Sequence, residues 1–409
     1  MNFLNNQKVK FMELYSINYC NFMESCYNFI MITRIFEPVE KYLRPNRVLL
    51  IYGPRRVGKT TLLQKTLSET TLKYKLDSGD NILTQQILSS QDFSKILDYV
   101  EGYELIAIDE AQNIPNIGMG LKIIVDQVPG IKVIATGSSS FELAGQVGEP
   151  LTGRKQTLVL YPLSHMELAQ TYNRYELVQN LPNYLIFGGY PEVLQTSSHI
   201  ERIDIINEIA NSYLLKDLLV FERVKSSRIL LDLLKLLAFQ LGCEVSLNEL
   251  ATQLSIDVKT VQRYLDLLEK AFVIYRLNGF SRNLRKEVTS KSKYYFLDTG
   301  IRNALIAQFN NLDQRNDVGQ LWENFLMIER LKLRSYSRMP ANPYFWRTYD
   351  QQEIDLVEER DGMLYGYEFK WSHNKETFAP KHWKETYSNA EFITINQKNY
   401  MNFIIPSKS

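Results

Sequence analysis

The sequence predicts an α/β protein in which a parallel sheet with helices on both faces is followed by a helical region and a second α/β part. Three observations lead there. Short apolar runs, RVLLIY at 47–52, LIAI at 105–108 and KVIA at 132–135, read as buried strands, and segments of helical spacing separate them. From Tyr161 the alternation stops, and LSHMELAQTY, YELVQNLPNYLIFGGYPEVL and ERIDIINEIANSYLLKDLLV read as helices joined by turns. Beyond them short helices give way again to strand-like runs, FVIYRLNGF, KYYFLD, EIDLVEE and YGYEFKW.

A chain of 409 residues is long enough for two or three domains. With 45% apolar, 23% charged and 12% aromatic residues it has the composition of an ordinary globular protein. The formal charge of +1 excludes a global field that would draw the molecule onto nucleic acid or an anionic membrane, so any such attraction must be local. Cys20, Cys26 and Cys243 show no C-x-x-C spacing, which disfavours a disulfide framework and fits a cytoplasmic setting. No run approaches the ~18 apolar residues of a membrane span, and no membrane role is expected. The first thirty residues mix Asn, Tyr and Phe without a sustained period. They read as a dispensable N-terminal extension or as a short amphipathic helix, and a natural domain start follows at Met31.

The first strand runs directly into GPRRVGKTT, and KTTLLQKTL continues with Leu62, Leu63 and Leu67 at helical spacing. Strand, glycine-bearing loop and helix start together form a phosphate cradle, because the loop and the helix N-terminus both present backbone N–H groups. The candidate cradle is Gly53, Pro54, Arg55, Arg56, Val57, Gly58, Lys59, Thr60 and Thr61. Lys59 would reach the outer phosphates and the Thr60 hydroxyl would complete a Mg²⁺ shell, with ATP as the expected ligand. The second strand ends in Asp109 and Glu110. Asp109 would hold Mg²⁺ through water, and Glu110 would serve as general base for the attacking water, which argues for hydrolysis. After the third strand come Thr136, Ser138, Ser139 and Ser140. Ser138 is the candidate γ-phosphate sensor, while Ser139 and Ser140 read equally as caps of the next helix. Arg154 precedes a further strand. It reads either as a charge at a strand start or as a group that stabilises the transferred phosphoryl of its own or a neighbouring subunit.

GPRRVGKTTLL, LIAIDEAQ, ATGSSSFELAG and EPLTGRK, in this order, resemble the AAA-type ATPases of bacteria and archaea that carry a C-terminal domain of unknown function. The resemblance covers most of the chain from about Met31 and is most specific in the first half. It implies a P-loop NTPase sheet with the P-loop strand central, the Walker-B acids at its carboxyl edge, and Arg154 in the nucleotide machinery. On this reading 31–165 is the AAA-type ATPase domain and 166–235 a helical connector.

In SLNELATQLSIDVKTVQRYLDLLEK two short helices flank a turn at Ser255 to Asp257, the pattern of a helix-turn-helix. The second helix would present Lys259, Thr260, Gln262 and Arg263 outward and pack Val261, Leu265 and Leu268 inward. Two strands then flank a basic loop carrying Arg282, Arg285, Lys286, Lys291 and Lys293, so 236–300 resembles a winged helix. Such local charge suits DNA phosphates, but winged helices also serve as protein-binding modules, and both partners stay open.

Within 301–409, Glu323 lies on an amphipathic helix, Asp355 on a strand, and Glu368 and Lys370 on one face of the next. These are the parts needed to bind Mg²⁺ and activate water against a phosphodiester. The arrangement resembles the restriction-endonuclease-like PD-(D/E)xK core, although Ile354 stands where that motif has proline. An ion-paired strand surface, or a nuclease fold without turnover, is the alternative. The leading functional expectation is a Mg²⁺-dependent ATPase switching a DNA- or protein-binding C-terminal region. The alternatives are an ATP-gated metal-dependent DNA nuclease and a non-enzymatic regulatory protein; a homo-oligomer is compatible with each.

Overall fold

β1 (Arg47–Tyr52) is buried at four successive positions, Val48 to Ile51, as a strand covered on both faces must be. α1 (Lys59–Glu69) follows it, then β2 (Tyr74–Ser78), α2 (Ile82–Ser89), α3 (Phe93–Val100), β3 (Leu105–Asp109), α4 (Ile117–Gln127), β4 (Lys132–Gly137) and β5 (Lys155–Val159). The five strands form one sheet in the order β2-β3-β4-β1-β5, and every pairing is parallel. β1 is an interior strand flanked by β4 and β5; the resemblance implied a central phosphate-loop strand, but β4 holds the middle place and β1 lies one strand from the edge. α1 buries Leu62, Leu63 and Leu67. The side chains of α2, α3 and α4, with Leu88, Ile96, Leu121 and Ile124 among them, pack into one apolar core with Val48, Leu50, Ile106 and Val133 of the sheet. The structure is a computed structural model that describes residues 32–138, 150–212, 227–280, 291–348, 350–373 and 377–406.

A run of short helices comes next: α5 (His165–Leu168), α6 (Arg174–Gln179), α7 (Leu181–Phe187), α8 (Pro191–Gln195), α9 (His199–Ser212) and α10 (Ser227–Phe239). α5 starts on a capping box in which Ser164 and Glu167 exchange hydrogen bonds. The double glycine of GGYPEVL forms a corner at which the Gly189 N–H donates to the buried Asp298 carboxylate at 2.7 Å.

The remaining strands form a second sheet. β6 (Glu244–Val245), α11 (Leu247–Leu254), α12 (Val258–Lys270), β7 (Ile274–Gly279) and β8 (Ser292–Phe296) are followed by α13 (Thr299–Leu305), α14 (Val318–Ser337), β9 (Asn342–Arg347), β10 (Glu353–Arg360), β11 (Met363–Phe369), α15 (Lys381–Thr386), β12 (Ala390–Ile395) and α16 (Tyr400–Ile404). The strand order is β12-β11-β10-β9-β7-β8-β6. Parallel pairing of Asn278 with Tyr344 and Gly279 with Phe345 joins the hairpin strands to the C-terminal strands. Reading the sequence segment by segment does not anticipate this continuity. The helix pair α11–α12 connects β6 to β7, and the C-terminal carboxylates lie on α14, β10 and β11, with Glu323 and Glu353 reached by Lys293 of β8. No helix among the described residues is long and apolar enough to cross a membrane.

Candidate functional site

Parallel strands all end on the same side, so the loop after β1, the acids after β3 and the polar residues after β4 meet at one edge of the first sheet. Gly53 leaves β1 so close to the next segment that a Cβ there would lie 2.0 Å from the Leu160 carbonyl oxygen, and Gly58 enters α1 at φ 92°. Both positions require glycine. The Lys59 side chain is buried and donates to the Gly53 and Pro54 carbonyl oxygens at 3.0 and 2.6 Å, curled within the loop it belongs to. Thr60 and Thr61 are exposed on the first turn of α1.

The Thr60 hydroxyl donates to Asp109 Oδ2 at 2.8 Å, so the two groups expected to share Mg²⁺ are in contact. The other Asp109 oxygen accepts from the Thr136 hydroxyl, which in turn accepts from the Glu110 N–H at 3.1 Å. Glu110 sits in the left-handed region at φ 49°, a conformation that turns the chain sharply at the strand end. Its carboxylate accepts from Gln112 Nε2, and the same amide donates to Ser138 Oγ at 3.1 Å. Gln112 is buried and its Oε1 has no partner, so this amide is fixed by what its nitrogen holds. The result is a row of oxygen groups, Thr60, Asp109, Glu110 and Ser138, connected through Thr136 and Gln112. Gln112 was not singled out by sequence reasoning, although the DEAQ run carried the signal; Thr136, named there among the hydroxyls beside Ser138, lies near the end of β4 and binds Asp109 and Glu110. Mg²⁺ takes one or two protein oxygens and completes its shell with water and phosphate oxygens, and the Thr60–Asp109 pair fits that demand.

The loop is also held from behind. Arg34, buried, donates to the Val57 and Tyr161 carbonyl oxygens and to Glu167 Oε1, the last at 2.7 Å. Burial opposes its charge, but the buried Glu167 beside it raises the Arg34 pKa. On the solvent side Arg56 forms ion pairs with Glu208 of α9 and with Glu192 of α8, the latter at 3.5 Å. Tyr52, at the end of β1, packs on Phe272 between α12 and β7 with ring centroids 5.9 Å apart. The phosphate loop therefore touches the helical segment, and the strand that feeds it touches the C-terminal part.

Arg154 does not join this edge. Its carbonyl accepts from the Val48 N–H at the opposite end of β1, and its Nε donates to Asp126 Oδ1 at 2.5 Å near the C-terminus of α4. A residue that precedes a parallel strand must lie at the amino edge of the sheet, across the strand length from a loop that follows one. The structure thus does not bring Arg154 to the phosphate loop of its own chain. Ser139 and Ser140 lie outside the described residues.

On α12, Lys259, Gln262 and Arg263 are exposed while Val261, Leu265 and Leu268 are buried. Thr260 is taken up by the helix cap: Asp257 is the N-cap, and the Thr260 N–H and hydroxyl both donate to its carboxylate, at 2.8 and 2.7 Å. Arg282, Arg285 and Lys286 lie outside the described residues. Lys291 is exposed and pairs with Glu244 at 3.7 Å. Lys293 corrects the expectation of a surface charge. It lies in β8, 1% exposed, and pairs with Glu353 and, at 3.6 Å, with Glu323.

Glu323, Asp355, Glu368 and Lys370 lie near enough to interact electrostatically, without converging on one point. The Lys370 ammonium donates to Glu368 Oε1 at 2.5 Å, and the Phe369 N–H donates to Asp355 Oδ2 at 2.7 Å. Asp355 lies where the register of β10 against β9 shifts, between Ile354 and Val357, an irregularity that re-aims side chains. Burial, then the nearby Glu323 and Glu368 carboxylates, push Asp355 well above the usual carboxylate range. Burial also raises Glu323, against the pull of Lys293 and of the Tyr295 hydroxyl that donates to it at 2.7 Å. Among the described residues, no three His, Cys, Asp or Glu side chains stand together as a ready metal-binding group.

Residues 45–169 match the family model described as an AAA domain, and residues 178–313 and 318–403 each match a domain of unknown function. An uncharacterized protein of Mycobacterium tuberculosis is 28% identical over 330 residues, 79% of this chain and 70% of that one. One of Haemophilus influenzae is 28% identical over 344 residues, covering 78% and 81%. One of Methanocaldococcus jannaschii is 22% identical over 401 residues, covering 91% and 88%. Among solved structures, the replication initiator DnaA bound to AMPPCP and single-stranded DNA aligns over 58% of this chain and 90% of its own, with 15% identity and a TM-score of 0.27, too weak a likeness to bear on function. The five-stranded parallel sheet, its phosphate loop and the family match agree: residues 45–169 form an α/β domain similar to AAA domains, with the loop of a P-loop protein.

Proposed function

We propose that this protein is a Mg²⁺-dependent ATPase whose nucleotide state is passed to its C-terminal region. The observation that carries the reading is the contact of Thr60 with Asp109 beside Glu110, Gln112 and Ser138 at the mouth of the phosphate loop. In this reading Lys59 exchanges its two loop carbonyls for phosphate oxygens, and the N–H groups of 55–60 orient the chain of phosphates. Thr60 and Asp109 would hold Mg²⁺, which when bound neutralises phosphate charge. Glu110, fixed by Gln112, takes the proton of the attacking water, and Ser138 reports on the outermost phosphate through the same amide. Arg154, at the far edge, would act only on nucleotide held by a second copy of the chain.

The Arg56 ion pairs and the Tyr52–Phe272 contact support the switching part, because a phosphate entering the loop competes for Arg56 and shifts the end of β1. DNA is one reading of the partner, favoured by exposed Lys259 and Arg263 on α12. Phosphate release by the full chain in Mg²⁺ and ATP, with and without duplex DNA, tests the proposal. The wild type turns over, and Glu110→Gln binds ATP yet loses about 100- to 10,000-fold in rate. Equal turnover by Glu110→Gln would refute the assignment of the base. Stimulation by DNA that weakens steeply with salt supports a nucleic-acid partner, whereas indifference points to a protein.

A further inference from the structure

The C-terminal carboxylates gather around a lysine that no sequence motif places there. Lys293 belongs to β8, which enters the sheet on the other side of β7 and β9 from β10, yet its ammonium reaches Glu353 at the start of β10 and Glu323 on α14. It is 1% exposed, and Phe345 lies beneath it with 5.4 Å from the ammonium to the ring centroid. Tyr295, two residues on and on the same face, donates to the same Glu323 oxygen that faces Lys293. Across the cluster Lys370 holds Glu368. Two of the acids expected to bind metal, Glu323 and Glu368, thus each have an ammonium of this chain within 4 Å. A divalent ion needs deprotonated oxygens that converge, and it is repelled by fixed positive charge at contact distance.

We propose that Lys293 is the resident cation of this carboxylate cluster, occupying electrostatically the place of a divalent metal, so that the wild-type C-terminal site takes no Mg²⁺ or Mn²⁺. The fixed ammonium ties β8, β10 and α14 together as a bound ion would, and it does so without exchange. The cluster is then a structural junction between the hairpin strands and the C-terminal strands. Phosphodiester hydrolysis through a metal held by Glu323, Asp355 and Glu368 is not expected of it. This inference concerns charges remote from the phosphate loop and stands whether or not the chain hydrolyses ATP.

Mn²⁺ binding to the full chain without nucleotide, read by electron paramagnetic resonance and by Tm, tests it. The wild type and Asp355→Asn should give the same Mn²⁺ titration. Lys293→Met should gain one Mn²⁺ per chain and a Mn²⁺-dependent rise in Tm, and both should vanish in Lys293→Met combined with Asp355→Asn. Should Lys293→Met fold poorly, the charge-balanced Lys293→Met with Glu353→Gln keeps Glu323, Asp355 and Glu368 and should show the same gain. Stoichiometric Mn²⁺ binding by the wild type that Asp355→Asn removes would overturn the proposal. So would a folded variant lacking Lys293 that acquires no Mn²⁺ site.

Discussion

Two groups of carboxylates, one in each sheet, are built from the same residue types and handled in opposite ways. At the first sheet Asp109 and Glu110 receive neutral donors: the hydroxyls of Thr60 and Thr136 and the amide of Gln112. In the C-terminal half four of the acids receive cations, Lys293 for Glu323 and Glu353, Lys370 for Glu368, and Arg330 for the fully buried Glu358 at 2.6 Å, while Asp355 accepts the Phe369 N–H. An acid held by hydroxyls keeps its charge for an incoming metal and a water. An acid already neutralised by an ammonium has spent it on the fold. The identity of the partner, more than the presence of an Asp or Glu on a strand, separates a reactive edge from a structural one.

The sharpest test of the cation-held class is Glu329. It accepts from the His165 N–H at 2.6 Å and from Lys332 at 2.8 Å inside the junction between α5 and α14. Burial works against its charge, but Lys332 and His165 hold Glu329 down at about 2 against an ordinary 4.5. Its folded pKa is depressed, so its contribution is complete above about pH 4.5 and is lost as pH falls toward 2. Glu329→Gln leaves the buried Lys332 ammonium without its carboxylate and should cost about 3–5 kcal/mol in urea unfolding at neutral pH. A variant as stable as the wild type would remove the distinction between the two classes.

Next in size, Asp109→Asn should weaken Mg²⁺ affinity of the nucleotide-bound chain by about 10–100-fold, with Tm unchanged. Glu368→Gln should leave that affinity alone. If the two variants behave alike, the comparison fails. Asp355 gives a smaller effect of opposite sign. Its raised value means that the folded state binds the proton more tightly than the unfolded chain, so stability falls as pH climbs through the window between the ordinary and the folded value. Asp355→Asn should therefore gain unfolding free energy in urea relative to the wild type above about pH 4, by at most about 1.4 kcal/mol per pH unit of that window, and match it below. The smallest effect belongs to Arg56, whose ion pairs with Glu192 and Glu208 are solvent-exposed. Arg56→Ala should change stability by under about 1 kcal/mol, yet it should alter how ATP protects α8 and α9 from hydrogen exchange.

Legibility followed contiguity. The phosphate loop, the acids after β3 and the helix-turn-helix pair each lie within one short stretch, where spacing alone fixes which side chains share an edge or a face. Lys293 was read as part of a basic loop because its true neighbours, Glu323 of α14 and Glu353 of β10, are brought to it by the tertiary fold from 30 and 60 residues away. Arg34 and Glu167 escaped notice for the same reason, being 133 residues apart. Arg154 is a different case. Its position before a parallel strand already implied the amino edge, and the topological argument was available in the sequence. The continuity of the second sheet rests on two residue pairs between β7 and β9, for which no local pattern exists.

Calorimetric titration of a non-hydrolysable ATP analogue with Mg²⁺ into the purified full chain, beside Lys59→Ala, tests the central claim most directly. One analogue per chain taken up by the wild type, and none by Lys59→Ala, is the predicted result. No heat from the wild type, or equal uptake by both proteins, would contradict it.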